Sequence, residues 1–555
     1  MLRYLIIFVA VTNFFATGMY VVNPGPQYPP TKGEVWPKPQ YEKKEDKYFT
    51  HNSSFIITPT NYTCDILNKA IERYAFTVRA LHNMARRSRK NKPHRHRQVR
   101  GAPTTEKYEE VHRTHALQKM EIVLTSPCEE LPHLNMDESY SLTIDRISIL
   151  RSESVWGALR GLETWSQLFY LTDNYTQLRI NKTHIMDYPR YKHRGLLLDT
   201  SRHYISVSNI LKTLNAMAMN KLNVFHWHIV DDQSFPYQSE KFPNLSALGA
   251  YHSSMIYTHE DIQKIIAYAT ERGIRVLPEF DVPGHTRSWG VAYPDILTKC
   301  YDKKNVIGLG PMNPINNATY TMLGQLFEEI QEWFPDKYLH VGGDEVELNC
   351  WKSNPELQDY MAKHNVSAYQ LHAIFMQNVI PLLQNKSLPI VWQEVFDEGV
   401  PLSSDTIIQV WKNQWVNTMV KILEAGHRLI FSASWYLDHI KSGGDWTDFY
   451  IADPRLMVYN ATGNDSLLDN IIGGEACMWG EVVDDANVIN RVWPRSSAVA
   501  ERLWSASLAA SYRARKDALT DARHRLEEHT CRMNRRGIAA QPPNGPSACV
   551  THIHQ

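Results

Sequence analysis

Eight apolar runs, each ending in polar or aromatic residues and most followed by a helical stretch, succeed one another after residue 187. They are "HRGLLLDTSRH" (193–203), "KLNVFHWHIVDDQ" (221–233), "GIRVLPEFDVPGH" (273–285), "KYLHVGGDEVE" (337–347), "LPIVWQEVFD" (388–397), "TIIQVWKN" (406–413), "HRLIFSASWYLD" (427–438) and "NIIGGEACMWGE" (470–481). Continuous apolar strands alternating with helices predict a parallel sheet covered on both faces. Eight such units predict an α/β fold, a (β/α)8 barrel over 188–555, with its chemistry at the C-terminal ends of the strands. The preceding stretch has another texture. Short alternating strands ("KMEIVLTS", "SYSLTIDRISILRS") mix with helical pieces such as "VWGALRGLETWSQLFYL". That pattern predicts a smaller α+β domain over 19–187. Within it, residues 19–45 read as an extended terminus, and "RRSRKNKPHRHRQVR" (86–100) as a basic, solvated or protease-clipped loop.

The N-terminus, "MLRYLIIFVAVTNFFATG", places one Arg before a short apolar run and small residues. A membrane span needs ~20 apolar residues, so residues 1–18 read as a signal peptide and no stable membrane anchor is expected. Sequons at Asn52, Asn61, Asn174, Asn181, Asn244, Asn317, Asn365, Asn385, Asn460 and Asn464 are glycosylation candidates that agree with a secretory route. Acidic and basic side chains balance at 59 each, which gives no electrostatic case for nucleic acid. Seven cysteines cannot all pair. Cys477 lies in an apolar run, where a buried inert thiol fits. The nearest-neighbour scheme is then Cys64–Cys128, Cys300–Cys350 and Cys531–Cys549.

The fourth run ends in "HVGGDEVE", two adjacent acids behind two glycines. Glycosidases commonly set two carboxyls on either side of the bond they cut, ~5–5.5 Å apart in retaining enzymes. Neighbours on an extended chain instead point to opposite faces. Gly342 and Gly343 leave room for backbone irregularity and close ligand approach. Even so, adjacent acids need not straddle a sugar, so Glu345 is read as the acid/base and Asp344 as serving something else. The third run supplies His285 and the second Asp231, and an Asp–His–Glu chain can hold and tune Glu345. Arg194, in the first run, offers a multi-donor fork for sugar hydroxyls. Trp392, Trp411 and Trp479, ending the fifth, sixth and eighth runs, read as walls against the apolar faces of pyranose rings.

Two other function classes compete. "HWH" sets His226 and His228 on one face of a strand near acids, as the ligands of a metal-dependent hydrolase would stand. The remaining strand ends add Trp, Gln, Glu and Tyr rather than a further imidazole pair, so neither metal nor cofactor is expected. A catalytically silent carbohydrate-binding protein would want the tryptophans but not Asp344 and Glu345.

The motifs "RGLLLDTSRHY", "NVFHWHIVDDQSFP", "RVLPEFDVPGHTRSW", "HVGGDEVE", "VWQEVFD", "SWYLD", "GGEACMWGE" and the closing "RVWPRSSAVAERLW" occur in that order. In them the chain resembles the β-N-acetylhexosaminidases of glycoside hydrolase family 20, most of all the animal lysosomal subunits. The resemblance implies removal of terminal β-linked N-acetylglucosamine or N-acetylgalactosamine with retention, by a substrate-assisted route. The substrate's own 2-acetamido oxygen attacks C1 and gives an oxazolinium-type intermediate. The likeness makes Asp344 the group that orients the acetamido N–H, and Glu345 the acid and then the base. It has Tyr436 bond the acetamido oxygen, the three tryptophans enclose methyl and ring, and Arg194 and Glu481 hold outer hydroxyls. Asp231 and His285 follow as the family's partner pair. It also implies a homodimer or a heterodimer with a related subunit, lysosomal residence with secretion as a second route, and an acidic optimum. After "WYL", the family carries Asn-Arg in subunits that accept charged sugars and Asp-Leu in those that do not. Here Asp438 and His439 stand there, which predicts a preference for neutral substrates.

Overall fold

The computed structural model describes residues 32–51, 54–90, 116–172, 176–383, 386–439, 444–508, 511–545 and 549. The signal-peptide reading of 1–18, the sequons Asn52, Asn174 and Asn385, and residues 91–100 of the basic insertion lie outside these.

Seven strands build the N-terminal sheet: β1 (Tyr41–Thr50), β2 (Ile56–Asn61), β3 (Lys119–Leu124), β4 (Tyr140–Ile144), β5 (Ile147–Ser152), β6 (Tyr170–Leu171) and β7 (Leu178–Asp187). Their order is β1-β7-β4-β5-β3-β2, with β6 paired on β7. Alternate residues of β3, β4 and β5 are buried, as a half-covered sheet requires. Their apolar faces meet the helices Asp65–Lys90 and Val155–Gln167. The Ser154 hydroxyl accepts the Gly157 N–H at 3.1 Å and so caps the second helix. Two sequence expectations change here. Residues 41–45 belong to β1 rather than to an extended terminus, because they gain a ladder on β7 that composition does not reveal. Residues 86–90 continue the helix begun at Asp65, since Arg, Ser and Lys prolong a helix at little cost.

The barrel begins with β8 (His193–Asp199), β9 (Val224–Val230) and β10 (Arg275–Phe280). A hairpin of β11 (Leu297–Asp302) and β12 (Asn305–Met312) then interrupts the cycle. The remaining strands are β13 (Tyr338–His340), β14 (Leu388–Trp392), β15 (Ile407–Val410), β16 (Arg428–Phe431) and β17 (Ile471–Met478). β17 pairs in parallel with β8 and closes the eight-stranded barrel. β8, β9, β10 and β17 are buried along their whole length, which is why each reads as a continuous apolar run. Val224, Leu277, Ile390, Ile407, Ile430 and Ile472, near the strand starts, pack into one cluster that plugs the N-terminal end. The C-terminal mouth is the end left open to a ligand.

The disulfides are Cys64–Cys128, Cys300–Cys350 and Cys531–Cys549, and Cys477 is a buried free thiol. Cys350 stands in the helix Leu348–Ser353 that directly follows Asp344 and Glu345, so its bond to β11 fastens the loop carrying both acids. Asn181 corrects one sequence expectation. It is buried in β7, its amide donating to the Glu45 carbonyl at 2.8 Å and accepting from the Tyr170 hydroxyl at 2.7 Å. A sequon inside a paired strand has no free amide to carry a glycan. Asn61, Asn244, Asn317, Asn365, Asn460 and Asn464 are exposed. No helix among the described residues is long and apolar enough to cross a membrane.

Candidate active site

The Gly342–Gly343 pair turns the end of β13 through two left-handed residues, φ 68° and 98°. Gly342 is obligatory for a reason the sequence did not suggest. A Cβ there would fall 1.6 Å from the Asp281 carboxyl, so the room is filled by protein rather than by ligand. The Gly343 N–H donates to Asp281 Oδ1 at 2.9 Å, which seats the turn on the end of β10. Beyond it the two acids part. Asp344 is buried, with Oδ1 unpartnered, while the Glu345 side chain is 58% exposed. Glu345 itself adopts φ 48° and His285 φ 57°. A non-glycine residue in this region is uncommon and is sustained by its surroundings.

His285 joins these groups. Its Nδ1 donates to Asp231 Oδ1 at 3.1 Å, and its Nε2 lies 3.7 Å from Asp344 and 3.9 Å from both Glu345 and Asp281. Burial works against its cation, yet Asp281, Asp344 and Asp231 outweigh burial and raise its pKa well above the ordinary value. Asp231 shows the converse. Its burial is overcome by hydrogen bonds from His228 and His285, which hold the carboxyl far below the usual range. Burial and the neighbouring Asp344 push the Asp281 carboxyl well up.

Trp392, Trp411, Trp479 and Tyr436 line one side of the mouth. The Trp411 ring stacks on Tyr436 at 6.2 Å, and Tyr436 stands 6.5 Å from Trp479. These three are partly exposed, whereas Trp392 is wholly buried and donates to Glu279 at 2.8 Å. Trp392 is thus a floor beneath the other rings rather than a wall. Glu394, two residues beyond Trp392, accepts the Trp411 indole N–H at 2.9 Å and pairs with Lys412 at 2.7 Å. Its burial and the nearby Asp344 raise its pKa to about 7. Asp438 is partly buried at the same mouth, and Glu481 is exposed beyond Trp479.

Arg194 is not at the mouth. It is the second residue of β8, at the plugged end, wholly buried, with Nη2 on Glu138 at 2.6 Å, Nη1 on the Tyr191 carbonyl and Nε on the Lys221 carbonyl. Its fork is spent joining barrel to N-terminal domain, and no sugar reaches it. The arginine at the mouth is Arg202, in the same run past the end of β8. It pairs with Asp199 and Asp231 at 3.0 Å each, stacks over Trp479 at 5.0 Å, and keeps a buried Nε without a partner. The signal for it was its place after the apolar residues of "LLLDTSR" rather than before them. Glu394 and Lys412 were likewise within quoted motifs but passed over.

The imidazoles of "HWH" are already engaged. His226 Nδ1 bonds Glu475 at 2.8 Å and its Nε2 lies 3.0 Å from Glu279, while His228 bonds Glu279 at 2.7 Å and Asp231 at 2.8 Å. Burial opposes both cations, but these carboxylates prevail and raise the pKa values to about 9 and about 10. An imidazolium has no lone pair for a metal. The donor atoms of His226, Glu279 and His340 do converge within 4.8 Å, and there the Glu475 and Glu279 carboxylates favour the protonated form of His226.

Comparison with known proteins places the chain among relatives. Residues 191–507 match the family described as "Glycosyl hydrolase family 20, catalytic domain", and residues 35–168 match "beta-acetyl hexosaminidase like". Human beta-hexosaminidase subunit beta is 49% identical over 430 residues, covering 76% of this chain and 75% of that one. Mouse beta-hexosaminidase subunit alpha is 44% identical over 523 residues, 92% and 93% of the two chains. Among solved structures, the Flavobacterium johnsoniae chitobiase superposes with a TM-score of 0.75 at 29% identity, covering 91% of this chain and 73% of its own.

Proposed function

The chain belongs to glycoside hydrolase family 20, and from that premise we propose how its mouth residues divide the hexosaminidase work. The enzyme is a retaining exo-β-N-acetylhexosaminidase whose substrate supplies the nucleophile, its 2-acetamido oxygen. The observation that carries the division of labour is the parting of the two adjacent acids, Asp344 buried beside His285 and Glu345 exposed. Asp344 receives the acetamido N–H and opposes the positive charge that develops there. Glu345, open to the leaving group, protonates the glycosidic oxygen and later takes a proton from water. Tyr436 binds the acetamido oxygen, while Trp411 and Trp479 enclose methyl and ring above Trp392. Arg202, replacing Arg194 in this role, and Glu481 hold the outer hydroxyls. The catalytic unit is 188–555, and 19–187 braces its closed end through contacts such as Arg194–Glu138. Kinship with alpha and beta subunits supports a dimer, homomeric or mixed, as well as lysosomal residence.

Terminal β-linked N-acetylhexosaminides should yield the β-anomer first, with activity unchanged after exhaustive chelation. Inversion, read by proton NMR of the nascent sugar, rules out this mechanism. Activity lost on chelation and restored by zinc or manganese would return the histidine pair to the role of ligands.

Neutral substrates should be preferred to 6-sulfated ones. Asp438 keeps its Oδ1 buried without a partner, and His439 stands 3.7 Å away with a side chain 73% exposed. A buried anion repels sulfate through low dielectric, while the exposed imidazole is screened. Burial raises the Asp438 pKa, so acid removes the repelling charge and the sulfated-to-neutral ratio of kcat/KM should rise as pH falls. Asp438→Asn should raise that ratio most at the higher pH values, where the native carboxyl is ionised, and so flatten its pH dependence. His439→Leu should lower it slightly. Equal native rates on both substrates would discard the electrostatic account.

A further inference from the structure

Acid and imidazole alternate through the barrel interior from the plugged end to the mouth. His193 Nε2 bonds Glu475 Oε1 at 2.6 Å, and Glu475 Oε2 bonds His226 Nδ1 at 2.8 Å. His226 Nε2 lies 3.0 Å from Glu279 Oε2, which also accepts His228 Nδ1 at 2.7 Å. His228 Nε2 then bonds Asp231 Oδ2 at 2.8 Å, and Asp231 Oδ1 bonds His285 Nδ1 at 3.1 Å. Every member but His285 is essentially inaccessible to solvent. We propose that Glu279 and His228 are positioning residues that act through Asp231 to fix the orientation and charge of His285, and with it the alignment of Asp344 and Glu345. The inference rests on the roles assigned above to those two acids.

Burying this many ionisable groups is costly unless they are paired, and apolar residues of similar volume are commonly as stable or more so. The barrel's own aliphatic plug shows that alternative in use a few residues away. Scaffolding alone therefore gives little reason for the chain, while control of a charge at its outer end does. Asp231 has four partners. His228 and Arg202 both engage Oδ2, at 2.8 and 3.0 Å, while Oδ1 accepts the Asp232 N–H at 2.6 Å and faces His285 at 3.1 Å. With Asp231 and Glu279 both ionised, His228 donates from both nitrogens and is a cation, and Glu279 is the second acceptor that permits it.

His228 meets Glu279 and Asp231, and its ring edge lies against Trp479 at 5.0 Å. Glu279 meets His226 and His228 through Oε2, and through Oε1 the Trp392 indole and His340 Nδ1 at 3.2 Å. His285 faces Asp231, Asp281, Asp344 and Glu345. Acid–imidazolium pairs thus stack along the chain, Glu475 with His226, Glu279 with His228, and Asp231 with His285. Removing the Glu279 charge leaves His228 without the acceptor that sustains its second proton.

Glu279→Gln tests this without changing volume. Its amide oxygen can still accept from Trp392, so the sugar pocket persists. Its NH2 then faces His226 and His228 and requires acceptor nitrogens there, which makes both imidazoles neutral. With folded sites counted by binding of a thiazoline analogue of the intermediate, kcat should fall about 10- to 100-fold, as losses of outer hydrogen-bond partners do. KM should stay within about threefold, the split expected when orientation rather than binding is lost. The kcat–pH profile should gain an ionisation absent from the native enzyme, and Glu279→Asp should restore the native profile. His228→Gln, which keeps a donor to Asp231 but removes the cation, should behave like Glu279→Gln. Native kcat and pH profile per counted site in the Gln variants overturn the proposal, and so does failure of both to fold, which would make the chain purely a scaffold. Glu345→Gln run alongside separates the two readings. If its loss does not depend on the leaving group, the assignment of Glu345 has failed; if it does depend and Glu279→Gln is silent, only the present inference has.

Discussion

Glu345→Gln is expected to leave the fold and ligand affinity intact while lowering kcat by roughly 10²–10⁴, the range for losing general acid–base catalysis. The amide fills the same volume at an exposed position, so no packing is lost. What disappears is the proton that the leaving oxygen needs and the base that activates water. Substrates whose leaving group departs without protonation should lose far less in the first step, and the remaining defect should then sit in opening of the oxazolinium ion. Steady-state rates on a nitrophenyl glycoside and on a disaccharide measure the difference. Equal losses on both remove Glu345 from the acid role. His285 and Asp231 are poorly placed to replace it, because both are far less exposed than Glu345 and His285 Nε2 lies 3.9 Å from its carboxyl.

Asp344→Asn should cost about 10²–10³ in kcat, comparable to deleting one preorganised group from a site of charge development. Its carboxyl is buried beside His285 and Asp281, with Oδ1 unpartnered. An asparagine there can present its NH2 to the acetamido N–H, which misorients the nucleophile as well as removing the charge. The same reasoning concerns the substrate. A sugar with a 2-hydroxyl in place of the acetamido group should be nearly inert to the native enzyme. A thiazoline analogue should inhibit strongly, since a mimic of the intermediate gains the interactions the transition state gains. Trapping a glycosyl ester on any protein carboxylate by mass spectrometry would contradict the substrate-assisted route outright.

The eight barrel strands could be found in the sequence because burial on both faces leaves a run without polar interruption, and a closed parallel barrel buries nearly all of its strands. Adjacent acids are a poor fit to a two-carboxylate mechanism, and that chemistry alone set Asp344 apart from Glu345; that the substrate brings the nucleophile was implied by the family resemblance. The N-terminal sheet was less legible. β1 carries "YEKKEDKYFT", whose charges look like a solvated tail until β7 supplies its ladder.

Arg194 and Arg202 mark the boundary most sharply. Both belong to one quoted run, both are arginines, and local sequence treats them alike. The tertiary structure sets them at opposite ends of β8, one locked to Glu138 under the barrel and the other over Trp479 at the mouth. The partners of Glu279 were hidden in the same way. Its carboxyl contacts groups from β9, β13 and β14, which no spacing along the chain brings near one another. By itself the sequence determined which segments must be buried strands and which residue types stand ready for acid chemistry, because period and residue chemistry are local properties. Only closure of the barrel decided which end of each strand is plugged and which is open, and which charges meet across its interior. Those are relations between segments far apart in the chain, fixed by the packing of eight strands around one axis.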